Sequence, residues 1–169
     1  MSGRRWLLWG TVAAAVVLLV VFGLRGGHSV TGQKAPSLPQ QSLAGQPVTL
    51  DRLLAAAHGK PAVVVFWASW CAPCRQEAPA LRSFSQQVKG RLVAVDTGDV
   101  AAEARSVIRR YGWTFPDLRD GEGTVRNEYR ITVLPTTVVI DSAGRIRADL
   151  RGPQTEQTLS HAVASVEQS

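Results

Sequence analysis

The sequence predicts an α/β fold, a mixed central sheet flanked by helices, preceded by one N-terminal transmembrane helix. Three observations lead to this. Short apolar runs of strand length alternate with segments of helical periodicity, the pattern of helices packed on a sheet. The last two strand-like runs, Thr136 to Asp141 and Ile146 to Leu150, are joined by Ser142-Ala143-Gly144 and read as a hairpin, so the sheet is mixed rather than wholly parallel. At the extreme N-terminus, Trp6 to Leu24 form a run of 19 residues without a charge.

At 1.5 Å per residue a helix of that length spans about 28 Å, enough for the hydrocarbon core of a bilayer. Trp6 and Trp9 lie at one end, where indoles favour the membrane interface, and Arg4 and Arg5 bias that end toward the cytoplasm; Arg25 on the far side weakens the bias. A cleaved signal peptide is the alternative, but the run is long and Phe22-Gly23-Leu24-Arg25 offers no small-x-small cleavage site. Residues 1–25 therefore read as an uncleaved signal anchor, and on either reading the rest of the chain is exported. Gly26 to Ser37, rich in Gly, Ser, Pro and Gln, reads as a flexible tether, which leaves one folded domain over 38–169.

Within the domain, Ser42 to Leu50 contains a Gly45-Gln46-Pro47 turn before Val48-Thr49-Leu50 and suggests a small hairpin. Asp51 is placed to cap a helix over Arg52 to Ala57 that Gly59 ends. Pro61 to Trp67 reads as a central strand, because the continuous run Ala62-Val63-Val64-Val65-Phe66 implies burial on both faces. A helix beginning near Cys71 and running to about Val88 follows, with Pro79 inside it to kink it or re-space its hydrogen bonds. Arg91 to Val95 reads as a second buried strand and Val100 to Tyr111 as a helix with apolar Ala101, Ala104, Val107 and Ile108 on one face. A short strand over Phe115 to Leu118, a helix around Gly123 to Tyr129, the hairpin and a terminal helix over Thr155 to Val166 complete the domain.

The net charge of +6 is concentrated at the start, since Arg4, Arg5, Arg25 and Lys34 account for four of the nineteen basic residues. From Ala35 onward 15 basic residues face 13 acidic ones, a balance of +2. No dense basic stripe with interleaved aromatic residues occurs, so no nucleic-acid partner is expected.

The chemistry lies in Trp70-Cys71-Ala72-Pro73-Cys74, which holds the only two cysteines of the chain. A buried strand that ends in Cys-x-x-Cys and leads into a helix puts the first sulfur at a helix N-terminus, where unpaired N–H groups and the macrodipole favour the thiolate. The thiolate is the nucleophile of disulfide exchange, and a second cysteine one turn on can resolve the mixed disulfide. A structural staple over so short a loop constrains the unfolded chain little. Half a zinc site would need His28, His58 and His161, which are scattered with no second ligand pair at zinc spacing, so no metal is expected. A pair of unrelated core cysteines is the third competing reading. In an exported chain a lone Cys pair with no structural bridge points to a redox catalyst.

Phe66-Trp67-Ala68-Ser69-Trp70-Cys71-Ala72-Pro73-Cys74-Arg75 resembles the active-site segment of thioredoxin-fold proteins, and Val133-Leu134-Pro135-Thr136-Thr137 resembles the loop that carries their cis-proline. Glu77-Ala78-Pro79, Tyr111-Gly112-Trp113-Thr114-Phe115-Pro116 and the N-terminal anchor are similar to the membrane-tethered TlpA, ResA and CcmG type of thiol–disulfide oxidoreductase. The likeness runs from about Ala35 to Val166. It implies a thioredoxin fold in which Cys71 is the attacking, more exposed sulfur and Cys74 the buried resolving one. It further implies that Pro135 is a cis-proline packed against the disulfide, leaving the Leu134 backbone to pair with an extended substrate.

Where thioredoxins commonly carry a buried Asp, two residues before Trp67, this chain has Val65, which moves no proton. Glu77, three residues after Cys74 and on the same helix face, is the candidate substitute, a carboxylate whose burial raises its pKa so that it relays protons to and from Cys74. A solvated helix glutamate is the plainer reading of the same residue. Trp67 is expected in the core beneath the site, and Trp70, with Pro73, on the exposed rim that receives substrate. For Trp113 and Phe115, core and groove wall are both open.

The expected activity is reduction of disulfides in exported proteins by Cys71 attack and Cys74 resolution, with no cofactor beyond the redox-active Cys71–Cys74 disulfide. By resemblance, the oxidised pair is re-reduced by a membrane dithiol donor of the CcdA or DsbD kind, and apocytochrome c is the expected substrate. A disulfide-donating oxidant of the DsbA kind uses the same residues in the opposite direction, and a non-catalytic binding module on the same fold is a further alternative. A peroxidase is disfavoured, because there is no peroxidatic Thr-x-x-Cys pattern.

Overall fold

The structure, a computed structural model, describes residues 30–169. The expected signal anchor over 1–25 lies outside these residues, and no helix among them is long and apolar enough to cross a membrane. The described elements are β1 (Ser42–Ala44), α1 (Leu50–Ala56), β2 (Ala62–Trp67), α2 (Ala72–Gln87), β3 (Leu92–Thr97), α3 (Ala101–Tyr111), β4 (Asp117–Asp120), α4 (Thr124–Glu128), β5 (Thr136–Ile140), β6 (Ile146–Arg151) and α5 (Glu156–Glu167).

The six strands form one mixed sheet in the order β1-β4-β3-β2-β5-β6. β2, β3 and β4 run parallel, linked by α2 and α3 as crossovers, while β5, β6 and β1 pair antiparallel. Every residue of β2 is buried, as its unbroken apolar run requires of a strand covered on both faces. Alternation sends Val63, Val65 and Trp67 to one face and Ala62, Val64 and Phe66 to the other. The first set joins Ala78, Leu81 and Phe84 of α2, Ala104 and Ile108 of α3 and Leu159 of α5 in one core. The second packs with Leu53 of α1, Tyr129, Val30 and Leu38. Burying Phe84 completely contributes about 1.5–3 kcal/mol by transfer alone.

The hairpin expected over Ser42 to Leu50 does not form. β1 pairs instead with β4 at the sheet edge, Ser42 opposite Leu118 and Ala44 opposite Asp117. Gly45 turns the chain in a left-handed conformation (φ +73°) with its backbone close against Pro116, and Pro47 brings no N–H to a return strand. The cap of α1 is Thr49 rather than Asp51: Thr49 has extended backbone and its Oγ1 accepts the Arg52 N–H at 3.3 Å, while Asp51 lies inside the first turn.

Residues 30–37, expected as part of the flexible tether, are fastened to the domain. The Gly32 N–H donates to the Ile146 carbonyl at 2.6 Å, the Ala35 N–H to that of Gly144 at 2.8 Å, and Lys34 bridges to Arg145. Val30 is buried in the cluster that holds Leu53 of α1 and Ile146 of β6, so the folded unit reaches back at least to Val30. α2 runs unbroken through Pro79. β3 extends two residues past its expected end, which brings Asp96 and Thr97 into the sheet.

Candidate active site

The parallel pairing of β2 with β3 puts the C-terminal ends of both strands at the same end of the sheet, and the loops that leave them lie side by side. From β2, Ala68-Ser69-Trp70 leads to Cys71. Cys71 is the N-cap of α2: its backbone is extended (φ −79°, ψ 105°) and its Sγ accepts the Cys74 N–H at 3.2 Å. Cys71 and Cys74 form a disulfide with an S–S length of 2.08 Å. The Cys71 sulfur therefore sits at the positive end of a 16-residue helix, facing a backbone donor, a setting that favours negative charge. Cys71 is 5% exposed and Cys74 2%, so both lie below the surface, Cys71 slightly less deeply. Pro73 lies in the first turn of α2 on the exposed side, where its missing N–H costs the helix nothing.

Glu77, one turn past Cys74, is 2% exposed and is not a solvated glutamate. One carboxyl oxygen accepts the Gln154 N–H at 3.1 Å, and the other, Oε2, has no hydrogen-bond partner. Burial raises its pKa from 4.5 to about 7, against the lowering effect of the Gln154 hydrogen bond. Val65 is fully buried on the same face of the sheet.

The Leu134–Pro135 peptide bond is cis. Thr136 pairs with Phe66, so the register of β5 against β2 carries Pro135 to the end of β2 that leads to the cysteines. Pro135 is buried, and Leu134 is half-buried against the core that holds both cysteines. Trp70 is 58% exposed, with its indole N–H on the Gly98 carbonyl at 3.1 Å. Trp113 and Phe115 both lie in the core: Trp113 packs edge-on to Trp67 with ring centroids 4.8 Å apart and donates its indole N–H to the Ala78 carbonyl of α2 at 3.1 Å.

Five further residues, Ser69, Arg75, Asp96, Asp99 and Asp117, surround the site. Asp99, in the loop after β3, accepts the Ser69 backbone N–H and also the Ser69 hydroxyl, the latter at 2.8 Å. The Ser69 carbonyl in turn accepts Arg75 Nη1 at 2.5 Å, so both backbone polar groups of Ser69 are held immediately before the Cys segment. Beneath them, Asp96 and Asp117 are buried on the face that carries Trp67. Asp96 is the registered neighbour of Trp67, and Asp117 Oδ2 accepts the Trp67 indole N–H at 3.0 Å. The available signal was phase: Leu92, Ala94 and Asp96 share one face, and an acid in step with buried residues marks an inward-pointing carboxyl. Among the described residues no group of three or more His, Cys, Asp or Glu is arranged to hold a metal ion.

Known proteins resemble this arrangement. A model of the AhpC/TSA family matches residues 31–149. Thioredoxin-like protein YneN of Bacillus subtilis (strain 168) is 32% identical over 172 aligned positions, covering 92% of this chain and 95% of that protein. Thiol-disulfide oxidoreductase ResA of Geobacillus thermodenitrificans (strain NG80-2) is 28% identical over 138 positions, 80% of this chain and 77% of that one. Among solved structures, a secreted Mycobacterium tuberculosis disulfide oxidoreductase homologous to E. coli DsbE superposes with a TM-score of 0.64 at 26% identity, covering 78% of this chain and 96% of that one.

Proposed function

Because this chain belongs to the AhpC/TSA family, as a thioredoxin-like thiol–disulfide oxidoreductase of the ResA and DsbE kind, we propose that it reduces disulfides of exported proteins. The Cys71 thiolate attacks a substrate disulfide; the substrate S–S bond breaks and a mixed disulfide forms through Cys71. Glu77 takes the proton from the Cys74 thiol, and the Cys74 sulfur attacks Cys71 Sγ. The substrate leaves as a dithiol with two added electrons, one proton returned by Glu77 and the other taken from solvent, and the enzyme is left with the Cys71–Cys74 disulfide. Trp70, Pro73 and the Leu134 backbone receive the extended substrate beside Pro135.

The observation that carries the exchange chemistry is Glu77, which can serve Cys74 in either direction; the reductive direction rests on the family resemblance. Resolution of a substrate-bound intermediate needs a base for a buried thiol, and a carboxyl with a pKa of about 7, one turn from Cys74, is poised to be one. Residues 1–25 act as the membrane anchor, with the domain on the extracytoplasmic side. A membrane dithiol donor of the CcdA or DsbD kind restores the dithiol, and apocytochrome c, whose haem-binding cysteines must be reduced, is the substrate favoured by resemblance. The N-cap position of Cys71 favours the rival reading, a disulfide donor, because a stabilised thiolate is a good leaving group.

The reduction potential decides between them. A value near about −270 mV supports the reductase, and one near about −120 mV makes the protein a disulfide donor. Cytochrome c maturation in cells that lack the protein, with and without added thiol reductant, tests the substrate.

A further inference from the structure

Three of the four carboxyl oxygens of Asp96 and Asp117 have no hydrogen-bond donor although both side chains are buried. Two anions cannot share such a place, because each would lose its hydration and gain the repulsion of the other. The neighbours distribute the protons. Burial and the Asp96 charge push the Asp117 carboxyl well above the usual carboxylate range, and the Trp67 indole N–H and the nearby Asp96 backbone N–H oppose that rise. Asp96 has no donor but lies within hydrogen-bonding reach of Asp99. Two carboxylates repel there, and a proton on Asp96 turns the same contact into a bond to Asp99. Asp99 is the group that holds Ser69, two residues before Cys71.

We propose that Asp96 is a positioning residue for disulfide exchange: it keeps its proton in the folded protein, donates it as a hydrogen bond to the Asp99 carboxylate that holds Ser69, and so fixes the loop that presents Cys71. Loss of the proton sets two anions against each other and loosens that loop. The charged groups facing Asp96 are Asp99 from the loop and Arg119, Asp120 and Asp117 from β4; of these only Arg119 favours its anion. The helices on that side contribute apolar Ala78, Leu81, Ala104 and Ile108 to the same core. Desolvation and Asp99 together push Asp96 up to about 8, so the proton is retained at neutral pH and released on the alkaline side. Trp67 offers a second route to the site, since it joins Asp117 to Trp113 and, through Ala78, to α2. The role holds for either direction of electron flow, so it stands or falls separately from the reductase reading.

The test uses the full chain in detergent micelles, labelled with nitrogen-15 and kept oxidised so that no thiol titrates. Between about pH 6 and about pH 10, the Ser69 amide and Trp67 indole resonances are expected to move together with one midpoint near the Asp96 value. In Asp96→Asn, which keeps a donor but cannot ionise, the Ser69 shift is expected to vanish. A Ser69 amide that stays still in the wild type, or titrates identically in the variant, overturns the proposal; the wild-type titration alone decides the matter if the variant does not fold. The second readout is reduction of the Cys71–Cys74 disulfide by dithiothreitol. The ratio of wild-type to Asp96→Asn rates, in which the reagent's own ionisation cancels, is expected to fall severalfold from about pH 7 to about pH 9. A ratio that stays constant or rises, as a purely structural role would leave it, also overturns the proposal.

Discussion

Glu77 lies one helical turn beyond Cys74 on the buried side of α2, with one carboxyl oxygen on the Gln154 N–H and the other without a partner. The hydrogen bond orients the carboxyl without exhausting it. The free oxygen is what a proton relay to a buried thiol requires, and it makes the residue a liability for the fold once ionised.

That liability has a sign. In the unfolded chain Glu77 ionises near 4.5, whereas in the folded protein it holds its proton up to about 7. Between these values the native state binds the extra proton, so stability falls as pH rises through the window and levels off above it. The loss attributable to Glu77 is at most about 3 kcal/mol, and Glu77→Gln is expected to remove it. Urea midpoints of oxidised wild type and variant, compared from below to above the window, measure this difference. Parallel pH dependences would show that Glu77 ionises freely in the fold.

Glu77→Gln is also expected to slow the second step of exchange more than the first. Stopped-flow traces of a reduced enzyme with a fluorescent mixed-disulfide substrate separate the two. An effect confined to the Cys71 attack would move the proton relay elsewhere.

Cys74→Ala is expected to accumulate mixed disulfides through Cys71, because attack remains possible and resolution does not. Mass spectrometry of the trapped species identifies the substrates. Cys71→Ala is expected to trap nothing, since the remaining sulfur is only 2% exposed.

Trp70→Ala is expected to weaken substrate capture while changing stability by no more than about 0.5 kcal/mol, the range of exposed substitutions. With 58% of its surface exposed, Trp70 adds little to the core, and its single hydrogen bond goes to the Gly98 carbonyl. KM for a peptide disulfide against kcat, read beside the thermal midpoint, checks both statements.

Asp120→Ala is expected to destabilise the domain by about 1–2 kcal/mol. Asp120 is buried, and its two oxygens accept the Val125 and Arg126 N–H groups at 3.1 and 2.8 Å, a service that the N-cap Gly123 of α4 has no side chain to give. Chemical denaturation with an unchanged slope reads this effect.

The alternation of strands and helices was legible along the domain because each signal is local. β2 is an unbroken apolar run, α3 shows a helical stripe, and the closing hairpin has its turn residues in place. The failures lie where a partner distant in sequence decides. Ser42–Ala44 finds β4 rather than its own downstream segment, and Val30 joins the buried cluster that holds Leu53 of α1 and Ile146 of β6, which no local pattern describes. Asp99 is hidden for the same reason: it holds Ser69, thirty positions earlier, and only the parallel register of β3 on β2 brings the two loops together.

By itself the sequence determined the chemistry and the class of fold. A lone Cys-x-x-Cys at a strand-to-helix junction of an exported chain points to a redox dithiol, and apolar periodicity dictates which elements bury which face. Tertiary structure alone decided the proton environment of that dithiol. Whether Glu77 is solvated or buried, and whether Asp96 is a surface acid or a proton held beneath Trp67, depends on which neighbours exclude water and which donors remain within reach. Those are properties of packing between strands and helices, and a residue's own type and position in the chain do not contain them.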